Sequence, residues 1–337
     1  MKPENDMNDP LKPVPAIAAI GAKHGTAARG YQGIPGIEIA PGGRLWATWY
    51  SGGVTEGPDN FVLLVTSSDQ GLSWTEPVVV IDPPGANVRA YDPALWLDPG
   101  GRLWLFWAQC FTLNNGTISD GINGVWGIWT AEPDSGSPRW SEPVRISNGV
   151  MMNKPVALST GEWALPTAVW DYWAHSREPQ KSEALKDERF SNITISADNG
   201  KTFFRRGGAS IAHRAFDEHM IVELKDGRLW MLVRTEYGIG QSFSSDCGKT
   251  WSPGEDSKLG GPNSRFFIRR LSSGNLLLVN HADIPAADAV AQFVNGEIDV
   301  LVSTLIVESG LDVPNADRKS TRLNSSHEWI SRMPSSA

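Results

Sequence analysis

Hydrophobic residues recur along the chain in pairs of short runs, and a glycine-bearing turn separates the two runs of each pair. In DPALWLDPGGRLWLFWAQ (Asp92–Gln109), the runs ALWL and LWLFW flank the turn DPGG. Two apolar runs joined by such a turn are typical of a β-hairpin. Five segments share this design: PGIEIAPGGRLWATWYSG from Pro35, Asp92–Gln109, Asn153–Trp170, Asp217–Thr235 and Ser264–His281.

The turn glycines define a long-range repeat of 47 to 66 residues. They are Gly43, Gly101, Gly161, Gly227 and Gly274. Repeats of this length with about four strands each predict the blades of a β-propeller. Helical periodicity is nearly absent, and Ser182–Arg189 alone reads as a short helix or polar loop. The pattern therefore predicts an all-β fold.

A second repeated motif follows a hairpin arm in three of the repeats. Its copies are SSDQGLSW, SADNGKTF and SSDCGKTW, with the aspartates Asp69, Asp198 and Asp246, and a damaged version occupies Thr130–Trp140. The aspartate can accept hydrogen bonds from nearby backbone N–H groups, and the glycine can take a positive φ. Three copies in separate blades cannot share one catalytic site, so we interpret the motif as a structural turn.

Composition narrows the class of protein further. The chain has 337 residues, a net charge of -8 and no lysine or arginine run in its first 280 residues, which argues against a nucleic-acid partner. Two cysteines cannot form a disulfide framework, and six scattered histidines show no zinc spacing. No apolar run is long enough for a membrane span or a leader, so we expect a cytoplasmic protein without membrane contact. No metal or cofactor is expected.

The repeated S/T-x-D-x-G-x-T/S-W/F motif resembles the Asp-box, or BNR repeat, of the sialidase (neuraminidase) superfamily. A more specific match to the family pattern E-x-x-x-V-E-L-x-D-G-x-L-x-x-x-x-R lies within Asp217–Thr235. The matching residues are Glu218, Val222, Glu223, Leu224, Asp226, Gly227, Leu229 and Arg234. The resemblance implies a six-bladed sialidase-type β-propeller, truncated here to about five blades over residues 23–285.

The resemblance also implies roles for two of these residues. In the family the first glutamate, here Glu218, assists a tyrosine nucleophile, and the arginine, here Arg234, binds the substrate carboxylate. A planar guanidinium matches a carboxylate in a bidentate manner, and a buried glutamate can take a phenolic proton. A structural ion pair between Glu218 and Arg234 at the ends of the hairpin is the alternative.

The sequence departs from the family pattern in three places. The stretch YQGIP (Tyr31–Pro35) stands where the family has Y-R-I-P, so the first arginine is missing. The family's general-acid aspartate belongs in the loop before the first Asp-box, where Glu56 and Asp59 are candidates. The third arginine and the tyrosine of the last blades have no identified counterpart.

Other polar residues stand at the start of the hairpins, on the strand that lines the channel in a propeller. Convergence of such groups on the axis predicts a binding site there. The candidates for substrate binding are Arg89, Tyr91, Asn153, Lys154 and Arg265. Asp92 and His219 are candidates for catalysis, and Arg214 is a further charged residue at the fourth hairpin.

The two ends of the chain lack the repeat design. Residues 1–22 form an N-terminal extension. Residues 291–316 resemble the helicase-motor segment of the transcription-repair coupling factor, and residues 317–337 resemble translated sequencing-adapter sequence. We therefore interpret residues 286–337 as a foreign or disordered tail. An unclosed propeller exposes a sheet edge, so an unstable or inactive chain is expected.

Three functions remain open on the sequence. A sialidase-like glycoside hydrolase would release a terminal sugar, which could be acidic, from a glycan. A propeller lyase would act on uronic-acid glycans with His219 as its base. A non-catalytic glycan-binding propeller would use the same channel without turnover. All three have a carbohydrate partner, and the sequence leaves the sugar and the oligomeric state open.

Overall fold

The computed structural model describes residues 12–16, 20–85, 87–111, 123–170, 183–281 and 301–302. Within these residues the regular structure is β-strand apart from short 3₁₀ helices, and the strands form blade-like sheets arranged as a β-propeller. The 3₁₀ helices are Ala22–His24, Thr26–Ala28 and Glu183–Glu188. The last of them lies in the segment for which a short helix or polar loop was predicted. The prediction of an all-β propeller is confirmed.

Four blades each have four antiparallel strands that follow one another in chain order. The first blade consists of β1 (Gln32–Ile39), β2 (Leu45–Ser51), β3 (Phe61–Ser67) and β4 (Val79–Ile81). The second consists of β5 (Val88–Leu97), β6 (Leu103–Phe111), β7 (Gly124–Thr130) and β8 (Val144–Asn148). The third consists of β9 (Val156–Ala157), β10 (Trp163–Leu165), β11 (Ser191–Ser196) and β12 (Phe204–Ala209). The fourth consists of β13 (Met220–Glu223), β14 (Leu229–Thr235), β15 (Gly238–Ser244) and β16 (Glu255–Asp256).

A fifth sheet of three strands follows. Its strands β17 (Phe267–Arg270) and β18 (Leu276–Val279) form the last predicted hairpin, and β19 (Leu301–Val302) pairs with β18 in parallel. Strand β19 lies within the stretch that the sequence assigned to a foreign tail. The rest of that stretch is outside the described residues, so the domain boundary at residue 286 stays a prediction.

All five predicted hairpins join the first and second strands of a blade or sheet. In the first hairpin, the backbone N–H of Gly43 donates to the carbonyl of Ala40 at 2.9 Å, and Gly43 has a φ of +92°. The same bond and a φ between +82° and +88° recur at the other four turn glycines. Glycine is favoured there because other residues are strained at positive φ.

The three Asp-boxes form the turn between the third and fourth strands of their blades. In the third blade, Asp198 Oδ1 accepts hydrogen bonds from the backbone N–H groups of Lys201 (3.0 Å) and Thr202 (2.9 Å). Ser196 Oγ accepts from the N–H of Gly200 at 2.8 Å. These bonds satisfy the backbone donors of a tight turn, as the residue types predicted.

Asp-box loops also contact the preceding blade. In the damaged copy, Asp134 Oδ1 accepts from the backbone N–H of Gly42 in the first hairpin turn at 2.8 Å. In the third blade, the carbonyl of Asn199 accepts from Arg102 Nη2 in the second hairpin turn at 2.6 Å. The repeated turns therefore connect neighbouring blades as well as closing their own.

Apolar side chains fill the spaces between successive blades. Trp46 of β2 and Trp107 of β6 belong to one buried cluster between the first two blades. Trp104 of β6 and Trp163 of β10 pack edge to face, with ring centroids 5.8 Å apart, in the cluster between the next two. Most strand residues of the first four sheets are buried because neighbouring blades cover them, whereas most residues of β17 and β18 in the fifth sheet are half-buried. In the described part of the chain, no helix is long and apolar enough to cross a membrane.

Candidate active site

The starts of three blades meet at the side chain of Asn153, which precedes β9. Its Nδ2 donates to the carbonyls of Glu218 (3.0 Å) and His219 (3.1 Å), just before β13. Its Oδ1 accepts from Arg265 Nη2, just before β17, at 2.9 Å. Asn153 is almost fully buried. The predicted convergence of polar groups at the strand starts therefore occurs in the third, fourth and fifth sheets.

The second blade contributes Asp92 from a β-bulge in β5. Between Tyr91 and Ala94 the register shifts, so that two residues of β5 oppose one residue of β6. Asp92 has a φ of +48°, which aspartate tolerates better than most residues. Its side chain is buried, with the residue only 5 % exposed. A bulge of this kind redirects a side chain, and bulges are frequent near active sites.

The environment of Asp92 favours its protonated form. Burial raises the pKa of the carboxyl to about 7. The neighbouring carboxylates of Glu56 and Glu218 raise this pKa as well, whereas the positive charges of Arg89 and Arg265 lower it. A buried carboxyl group with a pKa near neutrality can act as a general acid.

Glu218 and Arg234 form the ion pair that the sequence left as an alternative. Arg234 Nη1 donates to Glu218 Oε2 at 2.8 Å. Arg234 also donates from Nε to Asn263 Oδ1 at 2.7 Å and from Nη2 to the carbonyl of Asn263 at 3.0 Å. Its guanidinium lies over the ring of Phe216, 4.5 Å from the centroid. All three nitrogens of Arg234 are thus bound within the protein.

Glu56 is held by two phenols of the first blade. Tyr31 Oη donates to Glu56 Oε1 at 3.0 Å, and Tyr50 Oη donates to the same oxygen. Burial raises the pKa of both tyrosines, and the negative charges of Asp92 and Glu56 add to the effect. The phenols therefore stay neutral donors at neutral pH, and Glu56 is an exposed carboxylate beside Asp92.

Arg89 and Tyr91 are buried next to Asp92 and Tyr50. Both are almost fully buried, and the Arg89 guanidinium lies 4.0 Å from the centroid of the Tyr91 ring. Arg89 Nη1 donates to Asn60 Oδ1 at 3.0 Å, and Tyr91 packs edge to face against Tyr50. The structure thus places the two residues as supports of Asp92 and Tyr50. Their predicted contact with substrate is untested.

Three further candidates lie apart from Asp92. Lys154 Nζ donates to Glu38 Oε2 and to the carbonyl of Ile37, each at 2.6 Å, near the hairpin-turn end of β1. Asp59 is exposed on the loop before β3.

His219 is buried, and its ring nitrogens lie 3.1 Å and 2.8 Å from the carbonyls of Asp217 and Asn192. Burial lowers the pKa of His219, which lies between Asp217 and Asn192 of the third blade.

The sequence did not single out Tyr50, Asn60 or Asn263 as site residues. Tyr50 ends an apolar strand and reads as core, although it pairs with Gly33 in the YQGIP stretch that was already of interest. That pairing is the signal that could have identified Tyr50. Asn60 and Asn263 belong to loops, where no periodic pattern marks a side chain. Among the described residues no cluster of three or more His, Cys, Asp or Glu could hold a metal ion.

The blade order and the Asp-box turns place the chain in the class of sialidase-type β-propellers. Within this class, the sequence profile of the BNR repeat-like domain matches residues 43–305. The chain therefore belongs to the BNR repeat-like family. This match extends past residue 286, where the sequence placed the end of the propeller. No curated protein has a significantly similar sequence.

Solved structures of similar fold include several sialidase-type proteins. A Dyadobacter fermentans protein of unknown function has a TM-score of 0.55 at 15 % identity, over 79 % of this chain and 78 % of that one. The intramolecular trans-sialidase of Ruminococcus gnavus has a TM-score of 0.55 at 13 % identity, over 79 % and 81 %. The Trypanosoma rangeli sialidase has a TM-score of 0.57 at 15 % identity, over 78 % and 45 %. At these identities the likeness establishes the fold alone.

Proposed function

We propose that the protein is a glycoside hydrolase that releases a terminal sugar from a glycan, with Asp92 as its general acid. The observation that carries the proposal is the buried carboxyl of Asp92 on the β5 bulge, with a pKa of about 7. A hydrolase needs a proton donor for the leaving oxygen and a second group on the other side of the sugar ring. We assign both roles to residues of the cluster around Asp92.

The second group in this proposal is Glu218. Asp92 gives its proton to the glycosidic oxygen as the bond to the anomeric carbon breaks, and the leaving group departs as an alcohol. The carboxylate of Glu218, oriented by Arg234 at 2.8 Å, takes the proton of the attacking water and stabilises positive charge on the ring. The resemblance to sialidases implies instead that Glu218 assists a tyrosine, and both roles require its carboxylate.

Two observations support a hydrolase over the other candidate functions. The Ruminococcus gnavus and Trypanosoma rangeli relatives are described as a trans-sialidase and a sialidase. A lyase would need His219 as a base, but the two ring nitrogens of this buried side chain face the backbone carbonyls of Asp217 and Asn192. The proposal therefore assigns no catalytic step to His219 or to the exposed Asp59.

The role of Asp92 is tested by the substitution Asp92→Asn on aryl glycosides with good and poor leaving groups. We expect kcat/KM for phenyl glycosides, whose phenolate is a poor leaving group, to fall by about 10²–10⁴-fold, because the asparagine cannot donate a proton. For 2,4-dinitrophenyl glycosides, which leave without protonation, the loss should be about tenfold or less. The measurement is initial rates for both series at pH 6.

Asp226→Asn, on an exposed hairpin turn, is the matched control and should keep wild-type rates for both series. If Asp92→Asn lowers kcat/KM equally for both leaving groups, Asp92 is excluded as the general acid. Binding of glycans by the wild type without turnover of any glycoside would favour the non-catalytic propeller instead.

A further inference from the structure

The arginine that the family resemblance assigns to a substrate carboxylate is already occupied. Arg234 donates through Nε, Nη1 and Nη2 to Asn263 and Glu218 at 2.7 to 3.0 Å. A bidentate grip on a sugar carboxylate uses two of these nitrogens. An anionic sugar would therefore have to displace Glu218, and this displacement would leave a protein carboxylate without its counter-charge.

The first blade presents a negative charge where the resemblance leads one to expect a positive one. Gln32 stands in the position of the family's first arginine, next to Tyr31. The hydroxyls of Tyr31 and Tyr50 hold the Glu56 carboxylate there, close enough to Asp92 to raise the pKa of that residue. A carboxylate on a bound sugar would meet this negative charge.

The remaining arginine near the cluster, Arg265, donates to neutral protein groups and lies in the field of two acidic residues. Arg265 donates to Asn153 Oδ1 and to the carbonyl of Met152, and the negative charges of Glu218 and Asp92 act on it. Lys154 is paired with Glu38 towards the other end of the first strand, beside Arg269. Arg89 is buried beneath Tyr91. Around Asp92, the described cations therefore each have a protein partner.

We infer that the site accepts an uncharged terminal sugar and discriminates against sugars that carry a carboxylate, such as uronic and sialic acids. The inference rests on the proposed glycan site but does not require turnover. Neutral hydroxyl groups can accept from the Tyr31 and Tyr50 phenols or donate to Glu56 without a net change in charge. A carboxylate in the same place adds a second negative charge beside Glu56. The arginine that would bind it, Arg234, already donates to protein groups.

The test compares two pairs of sugars that differ only at C6 and adds one sialoside. p-Nitrophenyl galactoside and glucoside are measured against the matching galacturonide and glucuronide, and a p-nitrophenyl sialoside is included. We expect kcat/KM for the neutral member of a hydrolysed pair to exceed that of its acidic partner by about tenfold or more. The same preference is expected in binding of the methyl glycosides, measured by saturation-transfer NMR.

The substitution Glu56→Gln removes the negative charge and keeps the side-chain size. It should narrow the preference for the neutral sugar by about fivefold, whereas Glu255→Gln, on the exposed strand β16, should leave it unchanged.

The outcomes separate this inference from the proposed hydrolase function. Neutral sugars that bind better than their acidic partners without being cleaved would support the inference and contradict the hydrolase. Turnover with a preference for the uronide or the sialoside would support the hydrolase and overturn the inference. Absence of both binding and turnover for every sugar would overturn both.

Discussion

Aspartate serves two opposite purposes in this protein, and its surroundings decide which. In the Asp-boxes, hydrogen bonds from the neighbouring serine or threonine lower the pKa of Asp69, Asp198 and Asp246 to about 2. At the axis, burial raises the pKa of Asp92 to about 7. The first kind is a half-buried turn acceptor that stays charged, and the second is a buried acid.

The Asp-box carboxylates should make folding sensitive to acid. A carboxyl whose pKa is depressed in the folded state contributes stability above its unfolded pKa, near 4, and loses that contribution as the pH falls towards 2. We therefore expect Asp198→Ala to lower the Tm by about 2–4 °C at pH 7. The difference from wild type should shrink between pH 4 and pH 2, as followed by circular dichroism.

Asp187→Ala serves as control, because this exposed aspartate lies outside the Asp-boxes. A difference between Asp198→Ala and wild type that is independent of pH would assign the effect to packing rather than to the charged hydrogen bonds.

The pH dependence of activity should follow Asp92. Its acid form is lost as the pH rises through about 7, so kcat/KM is expected to fall on that limb. The Glu56 carboxylate raises the pKa of Asp92, so Glu56→Gln should move the limb to lower pH. The measurement is a pH–rate profile for both proteins, and a limb that stays in place would exclude this coupling.

At the level of elements, the hairpins show which features the local sequence pattern predicts correctly and which it does not. Gly43, Gly101, Gly161, Gly227 and Gly274 all occupy the positive-φ turn position that the sequence predicts. The third hairpin is shorter than its sequence suggests, with β9 (Val156–Ala157) and β10 (Trp163–Leu165). Pro155 and Pro166 border these strands, and proline has no N–H to donate to a ladder.

Two glycines with similar backbone angles should respond differently to the same substitution. Gly161 has a φ of +84° and open space where a methyl group would stand, whereas Gly200 has a φ of +79° and a Cβ there would lie 2.4 Å from the Trp163 ring. Both alanine variants carry a backbone strain of about 1 kcal/mol. Gly200→Ala adds overpacking against the tryptophan cluster, worth about 1–3 kcal/mol.

The measurement is the free energy of unfolding in urea, with Gly161→Ala as the control for backbone strain. Equal losses in the two variants would mean that the Trp163 ring moves aside without strain.

At the level of the whole molecule, a few polar side chains link blades that are distant in sequence. Asn153 joins the third blade to the fourth and fifth sheets, through Glu218, His219 and Arg265. Lys154 joins the third blade to Glu38 of the first. These contacts span 65 to 116 positions of sequence, so no local pattern predicts them.

Loss of the Asn153 side chain should therefore destabilise the whole propeller. Asn153→Ala leaves the carbonyls of Glu218 and His219 without this donor and removes one of the two hydrogen bonds of Arg265, so we expect a loss of about 2–4 kcal/mol in urea unfolding. Asn275→Ala, in an exposed hairpin turn, should change the stability by about 0.5 kcal/mol or less. A loss as small as that of Asn275→Ala would show that the axial contacts are replaced by water.

The sequence by itself determined the all-β class, the five hairpins, the turn glycines and the structural role of the Asp-boxes. These features depend on φ angles, turn hydrogen bonds and an apolar period of a few residues, and all of them are local. The sequence also placed Asp92, Glu218 and Arg265 at strand starts, where they converge.

Only the tertiary structure decided what each of those groups meets. It paired Arg234 with Glu218 and Asn263, buried His219 between the carbonyls of Asp217 and Asn192, and brought Glu56 to the hydroxyls of Tyr31 and Tyr50. Charge, burial and pKa depend on neighbours that chain closure brings together from different blades. The charge and pKa of a residue at the axis therefore depend on the assembled propeller. Its position within a blade depends on its own segment of sequence.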